Sequence, residues 1–205
     1  MAQNESPKTD VLLANPAALG LMAFGMTTVL LNLANAGVFQ STNSVVLAMG
    51  LFIGGAAQII AGALEFRKGN TFGMTAFIAY GFFWISLVFI LILPNLGWGA
   101  VGPTAASLSS YLFLWGLFSF FMFLGTLRLN GSLMFVFGTL FILYFLLSAN
   151  THAILGTGGN SDLLKFTGYE GVLCGLSAMY ASTATVLNEV YRKSVLPIFP
   201  VKPKS

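Results

Sequence analysis

Asn15-Pro16-Ala17-Ala18-Leu19-Gly20-Leu21 opens an uncharged apolar run that continues to Gly37. Asparagine is a strong helix N-cap and proline suits the first helical position, so the stretch predicts a helix starting at Pro16. The run is long enough to cross a bilayer, which takes about 20 apolar residues. It also carries Thr27, Thr28, Asn32 and Asn35. At about 100° per residue, Ala17, Phe24, Thr28, Leu31 and Asn35 share one face, with Thr27 and Asn32 beside it. A polar stripe on a membrane helix needs partners, on a neighbouring helix or along a water-filled path.

The composition of the whole chain agrees with that run. Only 7% of the residues are charged and 57% are hydrophobic, against about 25% charged in a typical soluble domain. The mean hydropathy is +0.86. These values predict an all-α integral membrane protein with little outside the bilayer. The net charge of +3 does not point to nucleic acid, because the basic residues sit at the ends of apolar runs, where membrane topology explains them. One cysteine, Cys174, excludes an internal disulfide and a thiolate metal site, and His152 is the single histidine. No metal and no cofactor is expected. Met1 to Asp10 is polar and of mixed charge, so no secretory leader is expected. Residues 1–14 read as a disordered cytoplasmic tail.

Six membrane helices are predicted, at 16–38, 45–64, 71–93, 108–127, 132–150 and 169–190. They make one membrane domain, 15–193, followed by a cytoplasmic tail, 194–205. The breaks are polar or rich in Gly and Pro: Gln40 to Ser44, Glu65 to Asn70, Pro94 to Pro103, Arg128 to Gly131, and Asn150 to Thr167. Lys8, Arg67, Lys68, Arg128, Arg192, Lys193, Lys202 and Lys204 fall on one side of this topology and Lys165 alone on the other. The positive-inside rule therefore puts both termini in the cytoplasm of a multi-pass cell-membrane protein. Gly50, Gly54, Gln58 and Gly62, and likewise Gly171 and Gly175, are four apart. That spacing lets helix backbones approach closely, within one chain or between subunits.

No Lys or Arg lies deep within a predicted span. Glu65, Glu170 and Glu189 are the acids near membrane depth. One reading makes them interfacial: Glu65 beside Arg67 and Lys68, Glu189 within helical reach of Arg192 or Lys193, and Glu170 at the start of the sixth helix, where a carboxylate suits the dipole. The other reading makes them proton-coupling groups. The remaining interior polar residues are neutral, among them Thr28, Asn32, Asn35, Gln58 and Tyr80. Neutral donors hold a carboxylate weakly, and conduction needs weak, multi-site binding. The pattern suits passage of a small neutral or weakly acidic solute. A serine nucleophile paired with His152 has no supporting motif, and the chain does not read as an enzyme.

Several motifs extend this reading. Asn15 to Leu21, then Phe24-Gly25-Met26-Thr27-Thr28, resembles the signature of the acetate uptake transporter family, whose bacterial members are succinate–acetate permeases. The likeness continues through Gly54-Gly55-Ala56-Ala57-Gln58, Leu64-Glu65, Gly69-Asn70-Thr71-Phe72-Gly73 and Tyr80-Gly81. It ends with Phe123 to Leu127, Leu187-Asn188-Glu189 and Val195-Leu196-Pro197-Ile198. Ala18 stands where the family has a second proline, and Ala34 where it often has histidine. The resemblance implies a six-helix protomer in a homo-hexamer, each protomer with its own path through the lipid bilayer. It implies an apolar ring of Phe24, Tyr80 and Leu140 at the narrowest point. Thr28, Asn32, Asn35 and Gln58 are the expected path residues. The expected solute is acetate or another short carboxylate, succinate included, passing as the anion or with protons. The alternative is a small neutral solute such as urea or an amide.

Overall fold

The computed structural model describes residues 14–39, 43–99 and 101–201. Six long helices make up most of it: α1 Ala17–Asn35, α2 Ser44–Arg67, α3 Thr71–Ile92, α4 Ala105–Thr126, α5 Gly131–Ala149 and α6 Ser161–Val190. A 3₁₀ turn, Leu93–Asn95, extends α3, and one helical turn, Thr151–Ile154, lies between α5 and α6. Among the described residues no strand forms, and one isolated bridge pairs Asn130 with Pro200. The first five helices are each long and apolar enough to cross a membrane. The segment 1–14, read as a tail, lies outside the described residues except for Ala14, as do Gln40 to Thr42, Lys202 and Lys204.

Asparagine punctuates the fold. Asn43, Asn70, Asn130 and Asn160 each accept a backbone N–H in the first turn of α2, α3, α5 and α6. Such caps satisfy donors that have no partner within the helix. At α1 the helix starts one residue later than expected, at Ala17, whose N–H donates to Asn15 Oδ1 at 3.3 Å. α4 is closed by a reciprocal pair between Thr104 and Ser107. The largest departure is α6, which begins at Ser161 rather than near 169. Asn160 caps it, and Asp162 in the first turn complements the helix dipole. Glu170 therefore sits in the third turn of α6, not at its start.

The glycine faces pack within the chain. Gly25 meets Gly175 where α1 crosses α6, and a Cβ on Gly175 would come 2.7 Å from the Gly25 carbonyl oxygen. A Cβ on Gly171 would collide with the Asn32 amide. On α2, Gly50 and Gly54 pack against Val88 and Trp84 of α3, and Gly62 against Ile78. Met49–Ala57 within α2 is π-helical, a wider turn that often marks functional positions, and it ends directly before Gln58. The core joins Phe24, Tyr80, Phe83, Trp84, Phe137, Leu140 and Tyr144 across α1, α3 and α5. Phe52, Leu114, Phe121 and Phe135 stay exposed, as lipid-facing side chains do.

The chain after α6 returns to the bundle. Asn188 holds it from both ends of its amide: Nδ2 donates to the Leu196 carbonyl at 2.8 Å, and Oδ1 accepts the Val195 and Leu196 N–H groups at 2.6 and 3.0 Å. The Tyr180 hydroxyl donates to the Pro197 carbonyl at 2.8 Å. Gly131 and Ser132, the first residues of α5, donate their N–H groups to the carbonyls of Phe199 and Ile198. Phe199 takes φ +54°, a left-handed conformation unusual for an aromatic residue.

Candidate functional site

Phe24 of α1, Gln58 of α2, Tyr80 of α3 and Leu140 of α5 line one internal cavity, closed by Leu21, Phe77, Val136 and Phe137. Its volume is about 10 Å³, room for about one water. The Phe24 and Tyr80 rings lie 6.0 Å apart and tilted, and Tyr80 also meets Phe118 at 5.4 Å and Phe137 at 6.1 Å. Phe24, Tyr80 and Leu140 are all buried. Edge and tilted contacts of this kind fix ring orientation. The Ser119 hydroxyl donates to the Trp115 carbonyl at 2.7 Å, so the Tyr80 hydroxyl is the donor in their 2.9 Å contact. Its proton is thereby committed to Ser119. Gln58 Oε1 is the polar exception in the wall: it is buried and has no hydrogen-bond partner among the described residues.

A larger vestibule of about 310 Å³ runs up to this cavity and shares Leu21, Ala76, Phe77 and Phe137 with it. Asn15, Asn70 and Asn130 line the vestibule, each at the start of an odd-numbered helix. Successive spans alternate in direction, so α1, α3 and α5 all begin on the same side. Three helix N-termini, with their partial positive charge, converge there. Ser132 lines the same space, and its hydroxyl is buried without a partner among the described residues. Ile198 of the returning tail forms part of the wall. Asn70 has two tasks: Oδ1 caps Gly73 at 3.0 Å while Nδ2 donates to Glu65 Oε2 at 2.6 Å.

The ion pairs expected at the acids do not form among the described residues. Glu65 is fully buried and bonded to Asn70 rather than to Arg67 or Lys68, and Lys68 Nζ instead donates to Asn15 Oδ1 at 3.1 Å. Glu189 is exposed, and only its backbone carbonyl engages Arg192. The ion pair found among the described residues joins Lys165 and Asp162 at 3.9 Å, two exposed side chains three apart at the start of α6.

Thr28, Asn32 and Asn35 lie beyond the ring, on the side away from the vestibule. The amides of Asn32 and Asn35 are used within α1: Asn32 Nδ2 donates to the Thr28 carbonyl at 2.9 Å, and Asn35 Nδ2 donates to Asn32 Oδ1 at 3.0 Å. The Thr28 hydroxyl is buried and has no partner among the described residues. These residues do not line the ring cavity; Gln58 does. No group of three metal-ligating side chains occurs among the described residues, and the Nδ1 of His152 lies 3.2 Å from the Thr157 hydroxyl. Sequence reading missed Asn70, Asn130 and Ser132. The signal for the first two was present, as an asparagine directly before α3 and before α5.

This geometry can draw an anion toward three helix N-termini and then strip its water at an apolar ring. Comparison with known proteins bears on the solute that passes. The family model described as GPR1/FUN34/yaaH matches residues 2–202. The succinate-acetate/proton symporter SatP of Escherichia coli strain K12 is 53% identical over 186 residues, covering 91% of this chain and 95% of that protein. Acetate permease A of Emericella nidulans is 31% identical over 93% of this chain and 68% of its own length. A solved structure of the bacterial acetate channel SatP superimposes with a TM-score of 0.84 at 52% identity, covering 91% of this chain and 99% of that one.

Proposed function

The chain belongs to the GPR1/FUN34/yaaH family, and on that footing we propose that it carries acetate and related short carboxylates, succinate included, across the cell membrane. The observation that carries this reading is the vestibule ringed by three helix N-termini, with Asn15, Asn70 and Asn130 in its wall, and closed by an apolar ring. Phe24, Tyr80 and Leu140 act as the constriction. Gln58 is the polar group at the ring; Thr28, Asn32 and Asn35 lie beyond it. Acetate presents a carboxylate to the N-termini and a methyl group to the ring.

Passage includes a proton. A bare carboxylate costs several kcal/mol to desolvate, whereas the neutral acid costs far less. Glu65, Glu170 and Glu189 are the candidates to handle that proton. The test is uptake of radiolabelled acetate into proteoliposomes, with urea as competitor. Uptake should exceed that of protein-free vesicles, rise as external pH falls, and ignore an excess of urea. Acetate uptake at the protein-free level, or strong competition by urea, would refute the assignment.

The protomer has six spans. α6, about 45 Å long at 1.5 Å per residue, exceeds the roughly 30 Å hydrocarbon layer, so its polar first turns rise beyond the bilayer. Both termini are cytoplasmic, with residues 15–193 as the membrane domain and the segments before and after it in the cytoplasm. The eight-to-one split of basic residues supports this topology. The exposed apolar flanks are shared with lipid and with neighbouring copies in a homo-hexamer. In a chain lacking Cys174, an impermeant thiol reagent applied to whole cells should label Ser161→Cys and spare Ser205→Cys. The reverse pattern would invert the topology. A monomer alone in native mass spectra from several gentle detergents would remove the hexamer.

A further inference from the structure

Glu170 is an acid to which the vestibule and ring give no task. It lies in the third turn of α6, and both carboxylate oxygens are buried with no hydrogen-bond partner among the described residues. The residue as a whole is only half-buried, so its stem nears the surface while its head turns inward. This is the reverse of the usual behaviour of a charged side chain at membrane depth, which carries its head toward water. An unpaired carboxylate held away from water is strongly disfavoured; taking up a proton removes the cost.

Its place in the bundle adds to this. One turn along the same face of α6 is Cys174, whose Sγ donates to the Val136 carbonyl at 3.8 Å, and Val136 lines the ring cavity. The next residue, Gly171, packs on the Asn32 amide. Glu170 therefore sits about one turn beyond the ring, beside the stripe that carries the unpartnered Thr28 hydroxyl. The elements packed against it supply no cation. α1 has no titratable side chain, and α5 offers only the buried Tyr144. On α6 itself Cys174 is buried, while Lys165 is exposed near Asp162. The turn between α5 and α6 offers the exposed His152.

The other two acids are less suited. Glu65 is tied to Asn70 at 2.6 Å beside helix N-termini, where a carboxylate is well placed, and Glu189 is exposed.

We propose that Glu170 is the proton-binding group of the transport cycle, taking one proton from the outer side for each carboxylate carried inward and releasing it to the inner side. The proposal rests on the carboxylate-transport reading of the vestibule and ring. Only an O–H bond to the Glu170 carboxyl forms and breaks, so no other reactant is needed.

The full chain in proteoliposomes tests this, with protein-free vesicles as the baseline for acid crossing the lipid. Under an inward proton gradient the parent protein should accumulate acetate and acidify the lumen above baseline. Glu170→Gln should fall to baseline in both, yet keep acetate–acetate exchange within about twofold of the parent. Glu170→Asp should restore accumulation with a displaced pH profile. Parental accumulation and pH profile in Glu170→Gln would overturn the proposal. So would loss of exchange in a variant with the parent's size-exclusion profile, because passage rather than coupling would then have failed. If Glu170→Gln misfolds, Glu170→Leu suits the apolar surroundings and takes its place.

An infrared pH-difference spectrum gives a readout independent of transport. The parent should show a protonated-carboxyl band that vanishes in the variant, and a band unchanged by substitution would refute the assignment. If the parent moves no acetate above baseline, the transport reading fails first, and the infrared band still reports whether Glu170 holds a proton.

Discussion

Leu140→Ala should raise the succinate-to-acetate flux ratio about tenfold. Leu140 is buried and closes a cavity of about 10 Å³ opposite Phe24 and Tyr80. An apolar wall so tight discriminates by bulk and by the water a solute must shed. One methylene of misfit in an apolar pocket is worth about 1–3 kcal/mol, and tenfold corresponds to about 1.4 kcal/mol, so removing most of a leucine reaches that range. Phe24→Ala should act in the same direction. Either truncation costs roughly 2–5 kcal/mol of stability, so dual-label uptake is read only from variants with the parent's size-exclusion profile. Tyr80→Phe is the contrast. The Tyr80 proton goes to Ser119, and Ser119 keeps its own bond to Trp115, so acetate flux should change by less than about twofold. Folded Leu140 and Phe24 variants that keep the parent's ratio would place the gate elsewhere.

Asn70→Ala should be the most damaging of the vestibule substitutions, destabilising the protein by about 2–5 kcal/mol. The range combines loss of an N-cap, about 0.5–2 kcal/mol, with loss of a hydrogen bond to a charged group, about 1.5–3 kcal/mol. Glu65 is fully buried, its Oε1 already lacks a partner among the described residues, and Asn70 holds its other oxygen. Removing the amide leaves a buried carboxylate with nothing to replace it. The sharper measurement is a double-mutant cycle by thermal melts in detergent. Glu65→Gln removes the charge, so Asn70→Ala should cost much less in that background, with a coupling of at least about 1 kcal/mol. Additive effects would show that Asn70 acts as a cap alone.

The spans are legible because lipid demands a pattern that a sequence displays openly: about 20 uncharged apolar residues between polar breaks. The start of α6 is not, because its first turns are polar and come after a glycine-rich loop. Hydropathy hides a stretch of helix there that Asn160 and Asp162 announce by capping chemistry. The ring residues carry no local signature of their own, since Phe24, Tyr80 and Leu140 look like any buried side chains. Family resemblance places them, and the fold brings all three to one cavity with Gln58. Proximity in sequence is a poor guide to the partners of Glu65 and Glu189. An amide three residues beyond the nearest cation reaches Glu65 instead. The convergence of Asn15, Asn70 and Asn130 is half legible: the caps are local, but their meeting in one vestibule is a property of the bundle.

The returning tail sets an order of events during biosynthesis. The first N–H groups of α5 are satisfied by carbonyls of Ile198 and Phe199, which the ribosome adds more than sixty residues later. When α5 leaves the translocation machinery, those donors must make do with water. The vestibule wall that includes Ile198 cannot be complete until the segment carrying Ile198 has emerged. A nascent chain stalled after α6 would hold all six helices and still have an unfinished vestibule. Truncation before Val195 should therefore yield a protein that inserts normally but matures poorly.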